Sequence, residues 1–205
     1  PYEKGHRMAR ASVIGCGNMG SALVQGLARS GDHAVIAYDV DEDALASVSE
    51  YSTETTTDLS VATESDVVFV VVKPDVAPGV VEELDLDADQ TLVSFAAGVS
   101  TDVIEPLTDA TVLRVMPNLA AATGNMAAAV TGGEPTPEIE ALLEEAGLFV
   151  EVDEEYMDIA TAVNGSGPAF VFYLIQAMQQ AGVDSGLEPA DAQVLAAQTF
   201  KGAAE

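Results

Sequence analysis

The stretch Ala11-Ser12-Val13-Ile14-Gly15-Cys16-Gly17-Asn18-Met19-Gly20 constrains the fold more than any other part of the chain. It reads as a short apolar strand turning sharply into a helix, with glycines at the first, third and sixth positions of the turn. In such a turn the first glycine allows the tight bend, the second lets a phosphate approach the backbone, and the third permits close helix–strand packing. The helix that follows, through Ser21, Ala22, Leu23, Val24, Leu27 and Ala28, would aim its free N–H groups and positive dipole end at that phosphate. A second apolar strand, Ala34-Val35-Ile36-Ala37-Tyr38, is closed by Asp39, 39 − 20 = 19 residues past the last glycine. That is the place for an acid gripping a ribose 2′-hydroxyl. The combination predicts a dinucleotide site.

The rest of the chain extends this beginning. A polar helix is expected over 41–49 and a short strand near 53–56. Val67-Val68-Phe69-Val70-Val71-Val72 is a continuous β-branched run, the pattern of a strand buried on both faces. It ends at Lys73-Pro74, where the proline forces the chain out of the strand. Thr91-Leu92-Val93-Ser94-Phe95 and Thr111-Val112-Leu113-Arg114-Val115 are further buried strands, ending in Ala96-Ala97-Gly98 and Met116-Pro117-Asn118. Helices expected at 76–84 and 101–108 complete the alternation of an α/β, doubly wound, Rossmann-type parallel sheet. Segments 127–130 and 149–152 extend its far edge around a helix at 137–146. Near Asp158 the character changes, and Asn164-Gly165-Ser166-Gly167-Pro168 breaks the chain. Phe170, Val171, Leu174, Ile175 and Met178 then recur at helical spacing, and a second helix is expected over 189–204. These apolar stripes read as core or subunit contact.

Charge narrows the partners. Thirty-four Asp and Glu against seven Lys and Arg give a formal −27, spread along the whole chain. Such a surface repels nucleic acid phosphates and anionic lipid, which excludes both as expected partners. No apolar run approaches a membrane span, and 48% hydrophobic content is too high for disorder. Self-repulsion of this size calls for strong screening, and the Debye length falls to about 3 Å at molar salt. The chain is therefore read as halophilic. One cysteine, Cys16, excludes an internal disulfide and fits a reducing, cytoplasmic compartment.

Residues 1–7 precede the first Met and are read as an added leader. Five cations remain: Arg10, Arg29, Lys73, Arg114 and Lys201. Lys73 and Arg114 stand at or near the ends of buried strands, where ligands bind in an open α/β sheet. For each, a role toward the ligand and simple pairing with carboxylates both remain open, with bracing favoured for Arg114. His33 falls away from the expected site, Cys16 reads as a small packing residue, and neither a metal constellation nor a Ser-His-Asp set appears. Hydride transfer needs none of these.

Several segments resemble one family. Ile14 to Gly20, Val72-Lys73-Pro74, Ser94-Phe95-Ala96-Ala97-Gly98-Val99, Arg114-Val115-Met116-Pro117-Asn118, Gly165-Ser166-Gly167-Pro168-Ala169 and Gln198-Thr199-Phe200-Lys201-Gly202-Ala203-Ala204 occur in this order. Together they look like the pyrroline-5-carboxylate reductases, in a haloarchaeal-type version. The resemblance implies reduction of 1-pyrroline-5-carboxylate to L-proline by hydride transfer to the imine carbon. It implies a nucleotide-binding domain over 8–157 and, from 158–205, the beginning of a helical dimerisation and substrate domain that makes a homodimer or higher homo-oligomer. The cofactor would lie against Ile14, Gly15, Gly17, Asn18, Met19 and Asp39, with Val71, Val72, Lys73, Pro74, Phe95, Ala96 and Ala97 lining its ribose and nicotinamide side. Asn118, Ser166 and Gly167 fall on the substrate side, and no side chain is assigned as a general acid. NADH is expected in preference to NADPH, with NADPH possible, because no cation follows Asp39. Two departures stand out. The family's usual Met-Pro-Asn-Thr ends here in Leu119, and a Gly-Gly-Thr-Thr-like loop that would hold the substrate carboxylate does not appear before Glu205. The chain is on that account expected to be truncated, to bind dinucleotide and to turn over poorly. Other readings are a β-hydroxyacid, prephenate or deazaflavin-linked dehydrogenase, or a nucleotide-sensing module without catalysis.

Overall fold

The computed structural model describes residues 9–205, so the leader expected over 1–7 lies outside the described residues. Two compact units divide at Gly165 and Ser166. In the first, strands β1 (Arg10–Ile14), β2 (Ala34–Tyr38), β3 (Glu54–Thr56), β4 (Val67–Val70), β5 (Thr91–Ser94), β6 (Thr111–Met116), β7 (Met126–Gly132) and β8 (Gly147–Glu151) form one sheet. Helices α1 (Asn18–Leu27), α2 (Glu42–Val48), α3 (Leu59–Ala62), α4 (Ala77–Glu83), α5 (Thr101–Ile104), α6 (Pro137–Ala146) and α7 (Met157–Ala160) connect and cover it. The strand order is β3-β2-β1-β4-β5-β6-β7-β8. The chain winds outward from β1 in one direction and from β4 in the other, which puts the topological switch between these two strands.

Alternation along β4 shows why its run is apolar throughout. Val67 and Phe69 enter one core cluster with Leu23, Leu27 and Leu143, while Val68 and Val70 enter another with Val81, Leu92 and Ile104. Both faces are covered, so no polar face is needed. Phe69 and Phe95 meet edge to face with ring centres 5.9 Å apart, a favoured aromatic geometry.

The far-edge strands are where expected, but one pairing is not parallel. β7 runs antiparallel to β6, Met116 opposite Ala129 and Leu113 opposite Gly132, and β8 then pairs parallel to β7. The link between Met116 and Met126 is a single 3-10 turn, Leu119–Thr123, too short for the crossover of about a dozen residues that a parallel pair requires. The strand expected through Val72 ends at Val70, and the helix expected over 101–108 stops at Ile104 and gives way to a 3-10 turn, Glu105–Leu107, containing Pro106.

The second unit is a helical pair, α8 (Gly167–Asp184) and α9 (Pro189–Ala204). Pro168 and Pro189 sit in the first helical turns, where a missing N–H costs nothing. Gly182 lets the helices approach closely, since a Cβ there would stand 3.2 Å from both Ala192 Cβ and Leu187 Cδ1. Ala192 and Ala196 are buried, whereas Phe170, Phe172 and Tyr173 are each at least 67% exposed, an apolar surface on this unit.

Candidate functional site

The glycine turn lies at the switch point, on the C-terminal side of β1. Gly15 has φ +96° and donates its N–H to Tyr38 O at 2.9 Å, joining the turn to the end of β2. Val71 N–H donates to Ile14 O at 2.8 Å, which brings the chain leaving β4 over the same turn. A Cβ on Gly15 would stand 2.6 Å from Val71 O and 2.9 Å from Val72 Cγ1. Gly20 is in close contact with the Gly15 carbonyl, so α1 rests directly on the turn. At Gly17, by contrast, a Cβ would meet nothing within 4 Å. The first turn of α1 carries no acidic residue and no side-chain cap at Gly17. No side chain caps its leading N–H groups, and the positive end of the helix dipole lies behind them, which fits a pyrophosphate.

Asp39 is half-buried, and its carboxylate braces the turn from the β2 side. Cys16 N–H donates to Oδ2 at 2.6 Å and Asp41 N–H to Oδ1 at 3.0 Å. Each oxygen retains a lone pair for a hydroxyl donor. Cys16 itself is buried, and burial, reinforced by the charge of Asp39, pushes its thiol up to about 12. A thiol so protonated is no nucleophile, in line with its reading as a packing residue.

The remaining residues expected against a cofactor occupy the ends of neighbouring strands. Ile14 has its side chain buried in the core, so it offers backbone only. Asn18 is exposed and Met19 half-buried at the start of α1. Val71 and Val72 are half-buried, and Lys73 and Pro74 are exposed just beyond β4. Among the described residues no carboxylate lies within ion-pair distance of Lys73. After β5, Phe95 and Ala96 are buried and Ala97 is exposed.

The substrate-side residues are distributed differently. Asn118 follows β6, and its Oδ1 accepts N–H groups from Ala120 and Ala127, both at 3.2 Å. Its carbonyl oxygen is thus used within the fold. Ser166 and Gly167 open the second unit. Arg114, 3% exposed, forms an ion pair with Glu154, which makes it a brace. His33 is buried with Nε2 3.0 Å from Glu145 Oε1, remote from the turn as expected. One residue with no expected role stands out: Asn164, whose Nδ2 donates to Met116 O at 2.6 Å and Ala127 O at 2.9 Å. In sequence it was visible only as part of a glycine-rich break. Among the described residues no cluster of three or more His, Cys, Asp or Glu is arranged to hold a metal, and no helix is long and apolar enough to cross a membrane.

A cavity of about 520 Å³ lined by Thr131, Gly132, Glu151, Asp153 and Tyr156 lies elsewhere. Gly132 pairs with Leu113 near the middle of β6, well before the strand end that carries Asn118.

Residues 154–205 match the family profile described as pyrroline-5-carboxylate reductase dimerisation, and residues 10–98 match that of NADP oxidoreductase coenzyme F420-dependent. The pyrroline-5-carboxylate reductase of Methanosarcina acetivorans is 38% identical over 210 residues, covering 96% of this chain and 78% of the relative. That of Mycobacterium tuberculosis is 36% identical over 215 residues, covering 96% and 73%. Among solved structures, the pyrroline-5-carboxylate reductase of Coxiella burnetii superposes with a TM-score of 0.85 at 28% identity, covering 97% of this chain and 79% of that one. The pyrroline carboxylate reductase of Plasmodium falciparum, with NADP bound, gives 0.84 at 25% identity, covering 96% and 78%. With 38% identity to a pyrroline-5-carboxylate reductase over 96% of this chain and 78% of the relative, the chain belongs to the pyrroline-5-carboxylate reductase family.

Proposed function

We propose that this chain reduces 1-pyrroline-5-carboxylate to L-proline, delivering a hydride from a reduced nicotinamide dinucleotide to the imine carbon. The observation that carries the reading is the 38% identity sustained over 96% of the chain, which a shared Rossmann half alone would not produce. The reduced nicotinamide supplies the hydride. What the chain contributes is binding and orientation, which for well-aligned reactants account for much of an enzymic acceleration. Gly15, Gly17 and the first turn of α1 hold the pyrophosphate; Asp39 accepts from the adenosine ribose. Val71, Val72, Lys73, Pro74, Phe95, Ala96 and Ala97 line the path toward the nicotinamide, with Lys73 available to neutralise phosphate charge. Asn118, Ser166 and Gly167 belong to the substrate side. The imine nitrogen must carry a proton to accept the hydride, and no side chain is assigned as its donor.

The division of labour proposed is a nucleotide-binding domain over 8–157 and a helical dimerisation and substrate domain from 158. The match of 154–205 to a dimerisation family and the exposed Phe170, Phe172 and Tyr173 support a homodimer or larger homo-oligomer. A single buried cysteine supports a cytoplasmic setting.

NADH is the proposed preferred cofactor. A 2′-phosphate at the end of β2 would meet Asp39, Asp41, Glu42 and Asp43, with no basic residue between Asp32 and Glu64 except His33. Repulsion of about 1 kcal/mol per close charge pair in water favours NADH by about fivefold for each such pair, less at high salt. The test mixes the protein with pyrroline-5-carboxylate and each cofactor at one salt concentration, following oxidation at 340 nm and binding by titration. NADH oxidation with proline formed is expected. Binding with no oxidation at all, even slow, would refute the reductase reading, and tighter NADPH binding would refute the preference.

The −27 charge supports a halophilic, haloarchaeal-type protein. At low ionic strength the Debye length of about 30 Å at 0.01 M lets most carboxylates repel one another. The melting temperature is expected to rise steadily from millimolar to molar potassium chloride; a flat or falling curve would contradict this.

A further inference from the structure

We propose that Asn164 is a positioning residue for the reduction, its side-chain amide holding the Met116-Pro117-Asn118 turn against β7. This rests on the substrate-side reading of Asn118. The β6–β7 ladder ends with Met116 opposite Ala129, and beyond it Pro117 carries the chain out of the sheet. Met116 O and Ala127 O are left at the mouth of that divergence without a ladder partner, and Met116 is buried, so its carbonyl must find a donor. Asn164 supplies both: Nδ2 lies 2.6 Å from Met116 O and 2.9 Å from Ala127 O. Because both partners are carbonyls, only the NH2 end of the amide can face them.

The same short stretch is gripped from the other side by Asn118. Ala127 donates its N–H to Asn118 Oδ1 at 3.2 Å and receives Asn164 on its carbonyl, so the two asparagines are joined through one residue of β7. The turn cannot shift without breaking one of these contacts. Asn164 sits in a π-helical turn, Thr161–Gly165, a wide and uncommon conformation often found at functional sites. Its Oδ1 is buried without a partner; such atoms are rare in folded proteins and call for an explanation. A residue kept there for its two donors alone, two positions before Ser166 in sequence, is suited to fix where the substrate side begins. Loss of this hold misplaces the turn without disturbing the glycine turn, which has its own bonds to Tyr38 and Asp39.

The test uses Asn164→Asp, which keeps the shape but turns the donors into a carboxylate facing two carbonyls, and Asn164→Ala. At matched high salt, kcat with pyrroline-5-carboxylate is expected to fall about 10- to 100-fold, the cost of a misplacement of order 1 Å. NADH affinity should stay within about twofold, since the cofactor side is untouched. Amide exchange over 117–128 should quicken in Asn164→Ala while β1 and β4 keep their protection. Unchanged exchange over 117–128, or unchanged kcat in both variants, would overturn the proposal, as would equal loss of NADH binding and turnover, the mark of general unfolding. A wild-type protein without turnover would instead refute the reductase reading; the tie itself is then decided by exchange alone.

Discussion

Gly20→Ala is expected to weaken NADH binding by about a hundredfold and to lower the melting temperature by about 2–12 °C, the overpacking cost of roughly 1–3 kcal/mol being worth about 2–4 °C per kcal/mol at this size. The added methyl would run into the carbonyl oxygen of Gly15 and lie 2.8 Å from its carbon, both backbone atoms with no rotamer to yield. Either α1 lifts from β1 or the turn opens. Lifting strips cover from Leu23, Val24 and Leu27, all fully buried. Opening breaks the bonds from Gly15 to Tyr38 and from Cys16 to Asp39 and spoils the anion site. Gly17→Ala separates the two effects. Its φ of −65° suits any residue and its Cβ would meet nothing within 4 Å, so stability should hold within a degree or so while binding falls, because the methyl occupies the space a pyrophosphate needs. Fluorescence titration and thermal scans of both variants at one salt concentration decide it. Equal stability of Gly20→Ala and wild type would mean that α1 does not rest on Gly15.

Glu154→Ala is expected to cost about 3 kcal/mol, the usual result of leaving a buried charge without its partner. Arg114 is 3% exposed, and its Nε and Nη2 already lack hydrogen-bond partners, so its charge rests on the Nη1 contact with Glu154. At this chain length the loss corresponds to a fall of about 6–12 °C. Glu64→Ala is the reference: the Arg10–Glu64 pair, 3.3 Å apart, is 40% and 66% exposed and should contribute no more than about 1 kcal/mol. Salt sharpens the contrast, because screening weakens the surface pair and hardly touches the buried one. Arg114→Met combined with Glu154→Leu should recover most of the loss, since an apolar pair of similar volume needs no counter-charge. If Glu154→Ala melts where Glu64→Ala does, Arg114 is solvated or paired in some other way and its bracing role falls.

Sequence alone determined the parts of this protein that depend on local order. Glycines at 15, 17 and 20, an apolar strand before them and Asp39 after the next strand announced a βαβ nucleotide fold, because only that spacing satisfies a tight turn and a helix resting on it. The unbroken apolar run from Val67 to Val72 announced a strand covered on both faces, which ends at Val70, and Pro189 announced the first turn of the last helix. What only the tertiary structure decided were the partners of polar groups. Asp39 takes the N–H of Cys16, 23 residues away, while Arg114 finds Glu154, 40 residues away. Asn164 reaches Met116 across 48 residues. Periodicity says which face a residue occupies but not which distant loop is folded over it. The antiparallel entry of β7 has the same origin, since it follows from how short the link after Met116 is and from which edge of the sheet was still unpaired.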